Sequence, residues 1–486
     1  MSLLEQLRTL GVTPAALAND SRRVRPGDVF LAYPGARDDG RDHIAQAVAA
    51  GAAAVIAEPG PKVDGGGTAV PVLTVPDLAR RTGELAHLIY GRPSEQLWLA
   101  GVTGTNGKTS VTQWIAQAMN RLECRCAVIG TLGNGIPPVL DPSPNTTPDA
   151  VSLHGALAAY VRQGAVACAM EVSSIGLDQG RVDGARFDVA VFTNLTRDHL
   201  EYHGSMAAYA EAKARLFTLP GLRTAVLNLD DAFGRELARR LQGKLLTLGY
   251  TLEGRSGTDR VLQAVNLDGR AGQLAFDLDG RRMEAPVVGR FNASNLLAVI
   301  GALLAGDETL EDIAAVLRYL APPPGRMQVM GGSSEPLVVI DYAHTPDALE
   351  KVLVTLRETA AVRGGRLFCV FGCGGERDPG KRPQMGAVAA RLADTVWVTS
   401  DNPRGENPAA IIDAILAGMP SAPAVEADRR QAISAAIAAA GAADVVLLAG
   451  KGHEPYQEIA GVRHPFSDAA EAESALAARR VAGAPT

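Results

Sequence analysis

The chain has 486 residues, 47% of them hydrophobic and 21% charged, with a formal net charge of −6 at neutral pH. That length exceeds what a single core organises and implies roughly two to four domains. The acidic balance without a basic run argues against nucleic acid or an anionic membrane surface as the main partner. No apolar run approaches membrane-spanning length, and N-terminal leucines interrupted by charges do not read as a signal peptide. Five cysteines without a paired CxxC framework fit free thiols in a reducing cytoplasm. Cys369 and Cys373 have no histidine partners at zinc spacing.

In chain order, residues 1–93 hold Asp20-Ser21-Arg22, the turn Arg25-Pro26-Gly27-Asp28, a strand at 29–32, an Ala-rich helix and a strand at 53–57, and so predict a small α/β domain. Residues 94–322 follow. Strands at 127–129, 166–170, 189–192 and 224–227 alternate there with helical stretches, as a mostly parallel sheet requires. Shorter alternating runs over 260–288, bounded by Gly and Asp, predict an antiparallel excursion before a helix at 292–304. Pro322-Pro323-Pro324-Gly325 breaks the chain and opens the third segment, 323–486. Its strands at 337–340, 367–371, 395–399 and 445–448 alternate with helices and predict a second, Rossmann-like doubly wound sheet.

The strongest signal is Gly101-Val102-Thr103-Gly104-Thr105-Asn106-Gly107-Lys108-Thr109-Ser110, directly after the apolar Leu97-Trp98-Leu99-Ala100. A strand, a Gly-rich turn and Lys-Thr opening a helix make a phosphate cradle. Its backbone N–H groups and helix N-terminus meet the phosphates, Lys108 reaches the β- and γ-phosphates, and the Thr109 hydroxyl ligates Mg²⁺. The usual pattern has Gly where Val102 stands. Glu171 ends an apolar run and brings an oxygen ligand for Mg²⁺ to the same sheet edge. Asp198-His199 follows the next strand, and Lys213 lies on a helix at 205–217, where a lysine alone is ordinarily solvated. In the third segment Asp341-Tyr342-Ala343-His344, Gly374-Gly375-Glu376-Arg377-Asp378, Asp401-Asn402-Pro403-Arg404 and Gly450-Lys451-Gly452-His453-Glu454 follow successive strands. Open α/β sheets bind ligands at those carboxyl ends, although any one such loop could be only a helix cap.

Gly104-Thr105-Asn106-Gly107-Lys108-Thr109, Glu171-Val172-Ser173-Ser174, Asn194-Leu195-Thr196-Arg197-Asp198-His199, Gly289-Arg290-Phe291-Asn292-Ala293-Ser294-Asn295 and Gly450-Lys451-Gly452-His453-Glu454 together resemble the Mur ligases of peptidoglycan synthesis. Asn145-Thr146-Thr147-Pro148-Asp149, Asp341-Tyr342-Ala343-His344-Thr345-Pro346 and Asp401-Asn402-Pro403-Arg404 narrow the resemblance to the MurE type, which adds the third amino acid of the peptide. The resemblance spans essentially the whole chain. It implies an ATP-dependent amide ligase of three domains, which hold the uridine end of the substrate, ATP and the incoming amino acid in turn. By the same resemblance Lys213 is carbamylated by CO₂ and holds a second Mg²⁺ with His199 and Glu171. Ser21 contacts uridine; Asn145, Thr146, Thr147, Ser173, Gln179 and Arg181 contact the muramoyl-peptide. Asn292 and Asn295 lie near adenine, with Arg326 and Asp341 closing on the nucleotide. Arg377, Asp401, Asn402, Pro403, Arg404, Gly450 and Glu454 bind the amino acid, and Arg404 implies meso-diaminopimelate over L-lysine.

The implied partners are therefore the UDP-muramoyl-dipeptide, the amino acid and ATP, with no nucleic acid and no membrane insertion, and the expected state is a cytoplasmic monomer. The chain departs from the pattern at Ile175, where many relatives carry His, and in Ala36-Arg37-Asp38 after Gly35. A folylpolyglutamate synthase-like ligase would share the phosphate loop and the lysine site but not Asp401-Asn402-Pro403-Arg404 or Asn145-Thr146-Thr147. A lysine-adding ligase of the same type and a non-enzymatic nucleotide-binding regulator are the further alternatives. Transfer between ATP on one domain and an amino acid on another requires the two to close together.

Overall fold

The structure is a computed structural model that describes residues 3–482 apart from 36–37, 65–67, 271–272 and 333. Ala36 and Arg37 of the departure Ala36-Arg37-Asp38 thus lie outside the described residues. Three sheets carry the molecule, each with strands too apolar to leave a face in water. In the first, Leu17–Ala18, Val29–Ala32, Ala54–Ala57 and Val72–Thr74 lie parallel in chain order. The central two are buried along their whole length, as strands covered on both faces must be.

The second sheet has eight strands. Trp98–Thr103 sits between Ala167–Glu171 and Val189–Phe192, and both pairings are parallel. Thr224–Asn228, Leu246–Thr251 and Arg260–Gln263 extend it on one side, Cys126–Gly130 and the antiparallel Gly133–Gly135 on the other. Helices Lys108–Arg121 and Arg290–Leu304 cover one face through Val111, Trp114, Leu296 and Ile300, while Leu153, Leu157, Phe217 and Leu237 fill the other. Arg290–Leu304 is apolar nearly all round because it is buried nearly all round. The antiparallel excursion starts later than the sequence predicts. Arg260–Gln263 is a parallel edge strand on Leu246–Thr251, and only Val265–Arg270, Gln273–Leu278 and Arg281–Ala285 form the antiparallel ribbon. The predicted helix at 205–217 divides into an α-helix, Met206–Ala214, capped by Ser205, and a 3₁₀ turn, Arg215–Thr218.

The third sheet runs Gln328–Gly331, Leu337–Asp341, Val445–Ala449, Leu367–Phe371, Thr395–Val398, Ala424–Val425, parallel except for its first strand. Leu353, Met385 and Ile411 pack on one face, and Ile433, Ile437 and Leu476 on the other. Arg429 and Asp468 form a wholly buried two-point ion pair, and Arg429 Nη2 also donates to Ala449 O (2.9 Å). The charge is matched on every side, which is the condition for burying it, and it anchors the strand end that precedes Gly450. The carboxyl edges of the second and third sheets face each other. Arg197 pairs with Asp378, and Asn106 Nδ2 donates to Asp347 Oδ2 (3.1 Å) across the gap. Among the described residues no helix is long and apolar enough to cross a membrane.

Candidate active site

The phosphate loop takes its shape from two glycines. Gly104 has φ +147° and Gly107 φ +88°, and a Cβ at Gly104 would run into Thr193 Oγ1. Lys108 is the first residue of the helix, as the motif predicts. It is half-buried and folded back, its Nζ donating to Gly104 O (2.9 Å) and Thr105 O (2.8 Å). Lys213 Nζ donates to the same Gly104 carbonyl (2.8 Å). It is 1% exposed and lies 4.3 Å from the centre of the Tyr209 ring, so the solvated helix lysine that position alone suggests is not what forms. Burial pushes the Lys108 ammonium below its ordinary range, and burial together with Lys108 pushes Lys213 far below it.

Glu171, the last residue of its strand, accepts from Thr109 Oγ1 (3.0 Å), Thr131 N (2.8 Å) and Thr131 Oγ1 (3.2 Å). Thr131 Oγ1 in turn meets Thr146 Oγ1 at 3.0 Å. Arg326 Nη2, from beyond the proline break, donates to Thr109 Oγ1 (2.9 Å), and its guanidinium stacks on Tyr342 at 4.5 Å. Arg326 Nε is buried and has no hydrogen-bond partner among the described residues. His199 adopts a left-handed φ of +54°, with Nε2 3.4 Å from Asp198 Oδ2. Burial opposes ionisation of Asp198, yet His344, His199 and Lys381 around it hold its carboxyl well below the usual carboxylate range.

These groups line one cavity of about 290 Å³ that runs from Thr105, Asn106, Gly107, Lys108, Thr109 and Ser110 to the loops of the third sheet. Thr146, Glu171, Ser173, His199 and Lys213 lie along it, and Arg377, Asp401, Asn402, Arg404, Gly450 and Glu454 close its far end. A second cavity of about 510 Å³ adjoins it. Asn292, Asn295, Asp341 and Trp114 line that cavity, and Arg326 and Ser110 border both. Asn295 Nδ2 donates to Asn292 Oδ1 (3.0 Å), and Met327 N donates to Asp341 Oδ2 (2.8 Å). At the far end Arg404 has φ +52°, with Nη1 donating to Gly375 O (2.7 Å). The hairpin Tyr456–Ile459 and Val462–Pro465 clamps this loop. Glu458 N donates to Asn402 Oδ1 (2.9 Å), Arg404 N to Glu458 O (3.0 Å) and Gln457 Nε2 to Asp401 O (2.7 Å).

The comparisons with known proteins agree along the chain. Residues 15–90 match the Mur ligase family catalytic domain, 102–303 the Mur ligase middle domain, and 325–452 the Mur ligase glutamate ligase domain. The chain belongs to the Mur ligase family. It is 54% identical over 477 residues to the UDP-N-acetylmuramoyl-L-alanyl-D-glutamate--2,6-diaminopimelate ligase of Ectopseudomonas mendocina (strain ymp), covering 98% of this chain and 97% of that one. A solved structure of a protein with the same enzyme name is 41% identical, covers 96% of this chain and 95% of its own, and superposes with a TM-score of 0.68. MurF from Acinetobacter baumannii, at 19% identity, 90% coverage of each chain and a TM-score of 0.66, shares the fold.

Not every residue singled out from the sequence meets in the long cavity of this Mur ligase. Ser21 donates to Gln46 Oε1 (2.9 Å) and lines a separate cavity of about 390 Å³ on the first sheet, with Asn19, Phe30 and His43. Asn145 is exposed. Arg181 grips Thr147 O (2.8 Å) and Gln179 Oε1 (2.7 and 3.0 Å), outside the cavity wall, while the buried Thr147 hydroxyl donates to Ser173 Oγ (3.1 Å). Gly104 and Pro403 shape their loops without lining the cavity. The sequence reading passed over Lys381, 4% exposed with Nζ 3.9 Å from Asp198 Oδ1. It also passed over His344, Lys451 and the Arg197–Asp378 pair as members of the site. The motif strings contained all of them but Lys381, which lies three residues past Gly374-Gly375-Glu376-Arg377-Asp378; their apposition across the cleft was missing.

Proposed function

We propose that the chain is an ATP-dependent amide ligase that joins meso-2,6-diaminopimelate to UDP-N-acetylmuramoyl-L-alanyl-D-glutamate in peptidoglycan precursor synthesis. One observation carries the reading: a single cavity connects the phosphate loop with two loops of the third sheet, the clamped one presenting Arg404 and its neighbour presenting Glu454. The residues fit a nucleotide. Asn292, Asn295 and Asp341 surround the adjoining cavity for the base and sugar, and the unpartnered Nε of Arg326 lies where phosphate oxygens pass from one cavity to the other. Lys108, now bonded only to loop carbonyls, has a short swing to the β- and γ-phosphates.

The γ-phosphate passes to the side-chain carboxylate of the D-glutamate, giving an acyl phosphate and ADP. The amine of the third amino acid then attacks that carbonyl, forming the amide and releasing phosphate. Such transfer needs alignment and charge neutralisation above all, which Lys108, Arg326 and Lys381 supply from three sides. Thr109 and Glu171 are hard oxygen donors 3.0 Å apart. Among the described residues no three His, Cys, Asp or Glu side chains gather tightly enough to hold a metal alone. Mg²⁺ bound there would take its other ligands from phosphate and water, as is its habit, and would neutralise phosphate charge.

Carbamylation of Lys213 requires a neutral amine to attack CO₂ and release a proton. A lysine whose burial and lysine neighbour hold its pKa far down is set up for that. The carbamate would bring an anion to the cavity that His199 and Glu171 also line. Arg404 is the group that meets the second carboxylate of diaminopimelate, which L-lysine lacks. The muramoyl-peptide runs past Thr146, Thr147 and Ser173, with uridine at Ser21. All five cysteines are unpaired, which fits a reducing compartment. The experiment is a phosphate-release assay. Release that depends on all three of ATP, the UDP-muramoyl-dipeptide and diaminopimelate supports the reading, and release that ignores the UDP-substrate contradicts it.

A further inference from the structure

Lys451 has no exposed side-chain surface, and it is not part of the wall of the reaction cavity. Its Nζ donates to Asn402 Oδ1 and Glu454 Oε2, both at 3.0 Å. A buried lysine is kept only where its charge is met, and the carboxylate that meets this one is a wall of the cavity. Asn402 Oδ1 lies between Lys451 Nζ and Glu458 N (2.9 Å), which turns Asn402 Nδ2 toward Glu454 Oε2 (2.7 Å). Two donors thus saturate Glu454 Oε2. Among the described residues Glu454 Oε1 meets only the Tyr342 hydroxyl, at 3.5 Å, and is the oxygen left for a ligand.

We infer that Lys451 is a positioning residue for amino-acid selection: it locks Glu454 with Oε1 presented to the ammonium of the incoming amino acid and couples Glu454 to the loop that carries Arg404. The inference rests on the ligase reading above. Glu454 and Arg404 read opposite charges, so the spacing between them selects a substrate with an ammonium and a carboxylate on the same end. Lys451 and Asn402 are the two side chains that tie these readers together. Without Lys451, Glu454 Oε2 keeps one donor, Asn402 Nδ2, and Oε1 only the 3.5 Å Tyr342 contact, so the carboxylate is free to turn about its last torsion and the pair no longer holds a fixed spacing.

The test is a double-mutant cycle on the full-length enzyme, read by steady-state ligation with diaminopimelate, ATP and the UDP-muramoyl-dipeptide varied in turn. Lys451→Met should raise the KM for diaminopimelate about 30-fold or more, the usual consequence of leaving one member of a desolvated charge pair alone. The KM values for ATP and the UDP-substrate should stay within about 2-fold, a split that a general packing defect would not give. In a Glu454→Gln background the same substitution should cost less than about 3-fold, because groups that act through one another are not additive. That double variant carries no unpaired carboxylate, so the comparison with Glu454→Gln decides the matter even if Lys451→Met alone fails to fold. Equal losses in both backgrounds, or an unchanged KM for diaminopimelate, would overturn the inference. Failure of the wild-type enzyme to use diaminopimelate would instead overturn the ligase reading, before any variant is made.

Discussion

Closure of the second and third domains over the cavity is held by Arg197 and Asp378, and its removal has a calculable effect. Arg197 Nε lies 2.6 Å from Asp378 Oδ2 and Nη2 lies 3.0 Å from Oδ1, with Asp378 6% and Arg197 41% exposed. Breaking a fully buried pair costs about 3–5 kcal/mol and an exposed one about 0.2–1 kcal/mol. A buried carboxylate facing a half-exposed guanidinium falls between, at about 1–2 kcal/mol, or roughly 5- to 30-fold in the closed-to-open ratio. Asn106–Asp347 and Arg326–Thr109 still bridge the domains in Arg197→Ala, so closure weakens without being lost. The variant should lose about 5- to 30-fold in kcat/KM and show a larger radius of gyration by small-angle X-ray scattering with nucleotide bound. Arg197→Lys, which keeps the charge but not the two-point geometry, should fall between. The Arg197 hydrogen bond holds the Asp378 carboxyl below its ordinary range. A carboxyl depressed in the closed state stabilises that state above its unperturbed pKa, and the stabilisation is lost only as pH falls through the depressed value. The latch is therefore intact at neutral pH. Wild-type kcat/KM together with unchanged scattering in Arg197→Ala would refute the reasoning.

Lys108→Ala should lose more than about tenfold in ligation, equivalent to about 1.4 kcal/mol of transition-state stabilisation, with an unchanged far-ultraviolet circular dichroism spectrum. A smaller loss would contradict the phosphate-cradle role. Lys213→Ala should be nearly inactive and partly restored by formate or acetate, and carbon-13 bicarbonate should label the wild-type enzyme with a carbamate signal that the variant lacks. A bare amine in the wild type, with no rescue by either acid, would sink the carbamate. Arg404→Ala should lower kcat/KM for meso-diaminopimelate by roughly 30- to several thousand-fold, as loss of a desolvated charge partner does, and affect L-lysine far less. An unchanged ratio of the two substrates would remove Arg404 from selection.

The elements that the sequence made legible are those written in local pattern. The phosphate loop reads from ten consecutive residues, and the strands of the third sheet from apolar runs ended by Gly and Asp. Arg260–Gln263 was misread because its short run looks the same in either pairing; the partner Leu246–Thr251, not its own composition, makes it parallel. Lys213 is polar in sequence and sits on a short helix. Only the enclosure by Tyr209, Gly104 and Lys108 buries it. The Arg197–Asp378 and Lys451–Asn402 contacts join residues 181 and 49 positions apart. No periodicity reports a contact of that kind. The four loaded loops of the third sheet come together on one cavity, because the carboxyl edge of a parallel sheet gathers whatever its loops carry.

The most direct test of the central claim is a competition measured by mass spectrometry: the purified chain with ATP, Mg²⁺ and the UDP-muramoyl-dipeptide, offered equal concentrations of meso-diaminopimelate and L-lysine. The account predicts the diaminopimelate adduct as the dominant product, formed with stoichiometric ADP and phosphate. A dominant lysine adduct would contradict the reading of Arg404, and ATP consumption with no adduct of either kind would contradict the ligase itself.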